Sequence, residues 1–434
     1  MDLNATHDPA RKSFVASANA PGSDFPIQNL PFCVFARAGE AFRGGVAIGD
    51  QIVDLGAAQR AGLFSGAAEN AAQAASGTAL NALMALGNGY ASALRGRLSD
   101  LLRSDAAEQD RVRAVLVPES QVRYAVPAAV GTFTDYLCSF DHTSRMSRTG
   151  DLPPAFKHLP IAYHSRASTV ICGDGFHRPN AQSRDKEGVV RFGPEPALDY
   201  ELEMGAYVGP GNAMGTPIAL ARAPDHIFGY CLLNDWSARG IQAWESTPLG
   251  PFLGKSFATS ISPFIVTGEA LLPFAVPSRA RAAGDPQPLP YLSDPGDLAA
   301  GGLDITLDAY MVTARMRADG APPARVTRTN FRHMYWTFGQ MLTHHASNGC
   351  SLQPGDILAS GTTSGPTDES RACLAEISSR GSKAFTLPNG ETRTYLLDGD
   401  EVIFRGRAER DGFVGIGFGE CRGVVLPAVA WPSN

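Results

Sequence analysis

One short segment alternates strictly between apolar and acidic residues, and it constrains the fold more than any other part of the chain. From Leu198 to Met204 the sequence reads LDYELEM. Because successive side chains of a β-strand point to opposite faces, a strand here places Asp199, Glu201 and Glu203 on one face. Like charges crowded in this way repel one another. The pattern fits either the solvated face of an exposed strand or a site where a hard cation gathers the carboxylates.

Two further acids follow apolar stretches and could complete a cation site. Asp235 ends an apolar run that predicts a buried strand, and Trp236 to Arg239 behind it predicts a helix start. Asp135 lies in the segment GTFTDYL. Mg²⁺ and Ca²⁺ bind about six to eight oxygen ligands, which proteins supply from carboxylates that converge from several segments. Simpler roles stay open, since Asp235 could cap the helix and Asp135 could close an Asx-turn.

Lys255 lies in the segment PLGPFLGKS, which superficially matches a phosphate-binding loop. In that loop four residues separate the first glycine from the Gly-Lys-Ser unit. Here only three residues separate Gly250 from Gly254, and Pro251 lacks the amide that should face phosphate. The sequence therefore argues against a nucleotide hydrolase.

Composition argues against nucleic-acid and membrane partners. The 434-residue chain has a net charge of −6 and no dense run of lysine and arginine. No run of eighteen apolar residues occurs, and the first twenty residues lack the apolar core of a signal peptide. The seven cysteines are odd in number and include no Cys-x-x-Cys pair, which favours free thiols in a reducing compartment. We therefore expect a cytoplasmic location.

The chain divides into a leader, a smaller domain and a larger domain. Residues 1–23 predict a flexible leader, and residues 67–114 are alanine-rich and predict helices. The proline-bounded segment 118–127 predicts the start of a larger, strand-rich part. The residues thus predict an α+β fold with many short strands, an N-terminal domain over 24–120 that includes the helical segment, and a larger domain over 121–434.

Long collinear strings resemble the fumarylacetoacetate hydrolase family from about Ser23 to Pro427. They include LDYELEMGAYVGPGN, HIFGYCLLNDWSARGIQAWE, PLGPFLGKSFATSISPF, LPIAYHSRAS and LLDGDEVIF. The resemblance implies a small N-terminal SH3-like β-barrel, a large mixed β-roll domain that holds the active site, and a homodimer. It also implies a metal-dependent hydrolase that cleaves fumarylacetoacetate to fumarate and acetoacetate, the last step of tyrosine and phenylalanine breakdown.

The same resemblance implies two cation sites. In the main site, Mg²⁺ or Ca²⁺ is bound by four acids: Asp135, Glu201, Glu203 and Asp235. A second, smaller cation site uses the positions of Asp235, Lys255 and Thr259.

Catalytic roles follow from the resemblance as well. It implies that His142 is the general base, that Glu376 orients it, and that Arg239, Gln242 and Lys255 surround the leaving group. The chemistry is consistent, because an unperturbed imidazole with a pKa near 6.5 can take a proton from water at neutral pH. A β-diketone supplies an enolate leaving group, whose oxygen a metal ion and Lys255 can stabilise. The residues alone leave His142 open as a hydrogen-bonded loop histidine and Glu376 as a residue on a strand face. Arg239 and Gln242, three apart in a helical pattern, share a face.

Two positions depart from the family at the expected substrate site. Leu137 and Ser246 stand where family members carry tyrosines, and each lost hydrogen bond costs about 0.5–1.5 kcal/mol. Thr362 matches a threonine that contacts substrate. A substrate-binding arginine is displaced, with Arg148 the best match and Arg145 its competitor. The substrate is therefore expected to be fumarylacetoacetate or another small 1,3-diketo acid such as an acylpyruvate. A non-catalytic ligand-binding relative is a third reading.

Overall fold

The computed structural model describes residues 2–147, 149–173, 175–185 and 187–432. Its strands, in chain order, are β1 Phe32–Arg37, β2 Arg43–Ile48, β3 Gln51–Asp54, β4 Leu116–Pro118, β5 Val122–Ala125, β6 Phe133–Tyr136, β7 Ala162–His164, β8 Val170–Cys172, β9 Gly175–His177, β10 Asn180–Arg184, β11 Val190–Pro194, β12 Leu198–Asp199, β13 Leu202–Val208, β14 Ile227–Asp235, β15 Ser237–Ala238, β16 Thr259–Ile261, β17 Val266–Thr267, β18 Ala275–Val276, β19 Gly302–Leu303, β20 Ile305–Val312, β21 Ala324–Asn330, β22 Ile357–Ala359, β23 Phe385–Thr386, β24 Thr392–Arg393, β25 Glu401–Ala408 and β26 Ile416–Leu426.

The α-helices, in chain order, are α1 Leu55–Arg60, α2 Gly66–Ala75, α3 Asn81–Leu86, α4 Asn88–Leu101, α5 Gln109–Arg113, α6 Phe140–Met146, α7 Ala223–His226, α8 Arg239–Glu245, α9 Gly268–Leu271, α10 Pro295–Ala300, α11 Ala314–Ala318, α12 Phe338–Ala346 and α13 Leu374–Ile377. None of these helices is long and apolar enough to cross a membrane, within the described residues. The architecture is a strand-rich mixture of helices and sheets.

The N-terminal sheet is open, so the expected SH3-like barrel is not confirmed. Its five strands have the order β4-β3-β2-β1-β5, with β4 and β5 at opposite edges. The physical reason lies between β3 and β4, where helices α1 to α5 are inserted and cover one face of the sheet. Leu94 and Leu98 of α4 belong to the same buried cluster as Val34 and Ile48 of the sheet. Because the helices bury that face, the sheet does not have to close on itself.

The segment expected to be a flexible leader instead packs against helix α4. Thr6 and His7 are buried. The buried guanidinium of Arg95, on α4, donates a hydrogen bond to the Thr6 hydroxyl. His7 Nε2 lies 2.9 Å from the carbonyl oxygen of Glu269 in the C-terminal part. Segments far apart in sequence therefore hold residues 4–7 in place.

The large C-terminal sheet positions the acidic residues. Its strands follow the order β7-β6-β22-β13-β14-β16-β8, with β17 also paired to β14. Strand β6 runs parallel to β22, with Asp135 opposite Ala359, while β22 and β13 pair antiparallel. In the pairing of β14 with β16, Asp235 lies opposite Thr259. A second, five-stranded sheet of order β21-β20-β25-β26-β9 shares one buried apolar core with this sheet.

All seven cysteines are described, and they form no disulfide.

Candidate active site

Four carboxylates from three separate segments of the chain meet in the interior. Asp135 comes from β6, Glu201 from the break between β12 and β13, Glu203 from β13 and Asp235 from the end of β14. One oxygen from each lies within 4.8 Å of one from every other, and all four side chains are buried. The sequence predicted this convergence, and the structure brings the four residues together.

The simpler roles left open by the sequence are wrong for these acids. The alternating segment is buried throughout rather than exposed, and its strand breaks at Tyr200. Asp235 is the last residue of a strand and does not cap helix α8, whose N-cap is Ala238. Asp135 lies within a strand and not in a turn. Burial of several carboxylates requires a compensating positive charge.

Lys255 supplies part of that charge. Its buried ammonium group lies 2.5 Å from Glu201 Oε2 and 2.6 Å from Asp235 Oδ2. Burial by itself lowers the pKa of Lys255, but the carboxylates of Asp235 and Glu201 outweigh it and raise the pKa above its ordinary value. Tyr163 also donates to Asp235 Oδ2, at 3.0 Å. Lys255 is therefore a permanent cation beside the acids.

The cluster still has more negative charge than the protein compensates. Burial, and to a smaller extent the repulsion of neighbouring carboxylates, raises the pKa of Glu203 well above its ordinary value. The pKa of Asp135 is raised for the same reasons. Asp135 Oδ1 and Glu203 Oε1 are buried and have no hydrogen-bond partner among the described residues. Unsatisfied carboxylate oxygens that face one another are the ligands that a hard divalent cation requires. These residues therefore fit a metal ion.

The expected second cation site has a different arrangement. Thr259 donates a hydrogen bond to Asp235 Oδ1 at 3.1 Å, and Lys255 donates to the other oxygen of the same carboxylate. Three predicted residues are thus adjacent, but the positive group among them is the lysine itself. A cation bound at this second site stays a prediction.

His142 and Glu376 form a buried pair beside the acids. His142 lies on helix α6. The N-cap of this helix is Ser139, whose hydroxyl oxygen accepts a hydrogen bond from the His142 amide at 3.1 Å. His142 Nδ1 lies 3.0 Å from Glu376 Oε2. The loop position considered for His142 and the strand position considered for Glu376 are both wrong, since Glu376 lies on the short helix α13.

Glu376 is held ionised by its neighbours. Burial would raise its pKa, but the interactions with His142, the Ser364 hydroxyl and Arg145 outweigh burial and lower the pKa to about 2. Ser364 donates to Oε2 at 2.5 Å, and Arg145 Nη1 lies 3.2 Å from Oε1. An ionised Glu376 accepts a hydrogen bond from the Nδ1–H of His142 and leaves Nε2 available as a base.

Arg239 and Gln242 share one face of helix α8, as their spacing predicts. Arg239 Nη1 donates to Gln242 Oε1 at 3.3 Å and to Glu201 Oε1 at 2.8 Å. Arg239 Nε donates to Asp199 Oδ2 at 2.9 Å. Asp199 thus fixes the arginine that contacts the cation cluster and does not join the cluster itself.

Asp135 and Glu201 of the carboxylate cluster line one cavity of about 960 Å³ together with His142. Leu137, Ser246 and Thr362 line it, as do Arg239, Gln242 and Lys255. Leu137 and Ser246, which replace the tyrosines of family members, thus lie where a side chain could contact a bound substrate. Arg148, the best match for the substrate-binding arginine, lies outside the described residues. Its competitor Arg145 is paired with Glu376 and donates to the Gly365 carbonyl oxygen, and it is not part of the cavity wall.

Sequence reasoning missed Tyr163 and Ser364 as parts of the site, and it offered Asp199 as a possible cation ligand rather than as the partner of Arg239. Tyr163 lies in the string LPIAYHSRAS, so the resemblance marked its segment but not its role. Asp199 was visible only as the first acid of the alternating strand. Ser364 lies in a glycine-rich loop and carries no local signal. Only the folded chain shows what these three side chains contact.

A buried carboxylate cluster suited to a divalent cation, next to a permanent lysine cation and a histidine–glutamate pair on one cavity, defines a metal-assisted hydrolase. Comparisons with known proteins make the class specific. The family model for the fumarylacetoacetate (FAA) hydrolase C-terminal region matches residues 131–426, and the model for the fumarylacetoacetase N-terminal region matches residues 28–127. The chain belongs to the fumarylacetoacetate hydrolase family.

Similar proteins cover nearly the whole chain. Fumarylacetoacetase of Bos taurus is 45% identical over 426 residues, covering 95% of this chain and 98% of the relative. Fumarylacetoacetase of Homo sapiens is 43% identical over 424 residues, covering 94% and 98%. A solved structure of fumarylacetoacetate hydrolase from Exiguobacterium antarcticum has a TM-score of 0.51 at 17% identity, covers 92% of this chain and 99% of that chain, and shares the fold.

Proposed function

We propose that this protein is a hydrolase that cleaves the carbon–carbon bond of fumarylacetoacetate with water, giving fumarate and acetoacetate, in tyrosine and phenylalanine breakdown. The observation that carries the proposal is the shared cavity, which His142 lines together with Asp135 and Glu201 of the carboxylate cluster. Relatives named fumarylacetoacetase that match over nearly the full chain support the same reaction.

His142 activates the attacking water in this mechanism. Its Nδ1–H donates to the ionised carboxylate of Glu376, so Nε2 carries the lone pair that accepts a proton from water. The water oxygen then forms a bond to the carbonyl carbon of the acyl half. Helix α6 holds the imidazole in place, because its N-cap Ser139 also donates to the Ser364 carbonyl oxygen at 2.9 Å.

Cleavage needs a place for the electron pair of the broken bond. When the carbon–carbon bond breaks, that pair passes to the departing fragment, which leaves as an enolate and is then protonated at carbon by His142. A divalent cation held by Asp135, Glu201, Glu203 and Asp235 would act as a Lewis acid toward the diketone oxygens. Lys255, Arg239 and Gln242 provide donors on the cavity wall that stabilise negative charge on the enolate oxygen.

The ion, the location and the assembly state are finer parts of the proposal. The all-oxygen donor set suits Mg²⁺ or Ca²⁺. A cytoplasmic location and a homodimeric assembly are parts of the proposal that rest on the resemblance to the family. The division into an N-terminal domain over residues 24–120 and a catalytic domain over 121–434 stays a prediction.

A second candidate keeps the chemistry and changes the acid. Leu137 and Ser246 line the cavity without the phenols that family members offer there, so a smaller acyl group, as in an acylpyruvate, loses fewer contacts. A ligand-binding relative without turnover is the third reading, and the retained base and acid cluster argue against it.

One assay separates these readings. Purified protein is mixed with fumarylacetoacetate or with acylpyruvates, with Mg²⁺, Ca²⁺ or a chelator, and the loss of diketone absorbance is followed. Faster turnover of fumarylacetoacetate that depends on the metal supports the proposal. A preference for acylpyruvates supports the second candidate, and no turnover of any compound supports the third. His142→Ala should bind substrate and lose most turnover; an active His142→Ala enzyme would exclude His142 as the base.

A further inference from the structure

Arg380 differs from the other lysine and arginine side chains of the cavity wall, because it has no carboxylate partner among the described residues. Lys255 and Arg239 both pair with Glu201, at 2.5 Å and 2.8 Å. The guanidinium of Arg380 makes one hydrogen bond, from Nη2 to the Met146 carbonyl oxygen at 2.6 Å. Its side chain is exposed to the cavity opening. Its charge is therefore available to an anion.

The backbone presents Arg380 in an unusual turn. Ser379, Arg380 and Gly381 have φ angles of 48°, 57° and 77°, the left-handed region that residues other than glycine rarely adopt. The Arg380 amide donates to the Ala375 carbonyl oxygen at 2.7 Å and holds the turn against helix α13. Conformations of this kind concentrate where a function fixes the position of a side chain.

The ring of Tyr395 packs on this turn and lines the same cavity. A Cβ atom added to Gly381 would lie 2.8 Å from Tyr395 Cε2, so the ring lies directly on the backbone next to Arg380. The Tyr395 hydroxyl group makes no hydrogen bond to any residue that the structure describes. Among the described residues, a guanidinium without a carboxylate partner and a phenol without a hydrogen-bond partner thus line the same cavity.

This part of the wall lies on the side of the general base. Met146 is the last residue of α6, the helix that carries His142, and Ala375 precedes Glu376 on α13. In the proposed mechanism this base acts at the carbonyl carbon of the acyl half, whereas Lys255, Arg239 and Gln242 act on the enolate oxygen of the leaving fragment. A group near Arg380 therefore belongs to the acyl half of the substrate.

The substrate of the proposed reaction has a carboxylate at each end. Hydrolysis creates one carboxylate, and the products, fumarate and acetoacetate, carry three between them. The two that the substrate brings are one on the acyl half and one on the leaving half. The acyl carboxylate needs a cation that is not already paired, since breaking an existing buried ion pair would leave its partner uncompensated.

We propose that Arg380, with the Tyr395 hydroxyl as a second donor, binds the terminal carboxylate of the acyl half and makes the enzyme selective for acyl groups that end in a carboxylate. The assignment rests on the proposed function. An arginine fork can donate two parallel hydrogen bonds to a carboxylate, which adds direction as well as charge.

The test compares two substrates in Arg380→Met. One is fumarylacetoacetate, and the other is its analogue with a methyl group in place of the acyl carboxylate. For fumarylacetoacetate, kcat/KM should fall roughly 10- to 100-fold, mainly through KM, while the analogue changes by less than about twofold. Arg380→Lys should restore part of the loss. Lys383→Met, which removes an exposed charge outside the cavity wall, should leave both substrates unchanged.

The remaining outcomes each overturn a specific statement. If Arg380→Met lowers kcat/KM equally for both substrates, Arg380 only supports the turn and helix α6. If kcat/KM changes for neither substrate, Arg380 does not bind the substrate. If Arg380→Met does not fold, Arg380→Lys decides, because it keeps the charge and loses the fork, and it should shift selectivity in the same direction by a smaller factor. If the unsubstituted protein turns over neither compound, the proposed function fails, and the role of Arg380 fails with it.

Discussion

Glu376→Gln is the substitution that tests the catalytic pair most directly. The side chain keeps its shape, but it loses the negative charge that accepts from His142 at 3.0 Å and from Ser364 at 2.5 Å. The neutral amide can turn either its oxygen or its NH2 group toward Nδ1, so it no longer imposes the Nδ1–H tautomer and no longer stabilises the imidazolium. We expect kcat to fall by roughly 10²- to 10⁴-fold with KM changed by less than about threefold, because the substituted group does not touch substrate.

The same substitution has a calculable effect on stability. The pKa of Glu376 is lowered from 4.5 to about 2 in the folded protein. Each pKa unit corresponds to about 1.4 kcal/mol, so the ionised carboxylate contributes about 3 kcal/mol to the free energy of unfolding. Because the folded-state pKa is depressed, this contribution is complete above the unfolded-state value and is lost as pH falls toward about 2. About 1.4 kcal/mol of it should be gone near pH 3.5.

The assay combines steady-state kinetics at neutral pH with urea unfolding between pH 7 and pH 3.5. Glu369→Gln is the matched control, since Glu369 is an exposed glutamate seven residues away and forms no ion pair among the described residues. The stability difference between Glu376→Gln and the unsubstituted protein should narrow as pH falls, while the control stays flat. A variant with normal kcat, or a stability difference that does not depend on pH, would refute the role assigned to Glu376.

One chelator treatment and four further substitutions test the rest of the site. A chelator should abolish turnover and lower Tm, and Mg²⁺ or Ca²⁺ should restore both; Glu203→Gln should lose the metal-dependent rise in Tm, and a full rise in that variant would exclude Glu203 as a ligand. Leu137→Tyr and Ser246→Tyr should each lower KM for fumarylacetoacetate by roughly 2- to 10-fold, with kcat nearly unchanged, in steady-state assays; unchanged KM in both would show that these positions do not contact substrate. Asp199→Asn should reduce the free energy of unfolding by about 2–4 kcal/mol in urea titrations, because it weakens the buried pair with Arg239, and an unaffected variant would contradict that pairing.

Local sequence patterns gave part of the fold and left part of it open. The alanine-rich stretch forms helices α2 to α5, because spaced apolar residues such as Leu94 and Leu98 need a face to bury. Local patterns could not predict that the N-terminal sheet is open. Whether a sheet closes depends on what covers its face, and that contact joins helices and strands separated by dozens of residues.

The order of the segment before Asp24 also depends on contacts with residues that are distant in the sequence. Its composition is polar and small, which is typical of a mobile terminus. Thr6 nevertheless accepts from the buried Arg95, and Asn4 donates to Glu269 at 2.6 Å. Its order depends on partners that are about 90 and 265 residues away in the chain.

The sequence by itself determined the family, and Glu201, Glu203 and Asp235 lie in its long strings of fixed order. The same resemblance marked Asp135, His142 and Glu376 as candidates, although they lie outside those strings. The tertiary structure decided which of the alternating acids join the cluster. Glu201 and Glu203 face Asp135 and Asp235, whereas Asp199 turns to Arg239. The reason is strand pairing: the order β6-β22-β13-β14 brings positions about 100 residues apart to neighbouring strands, and no local pattern encodes that order.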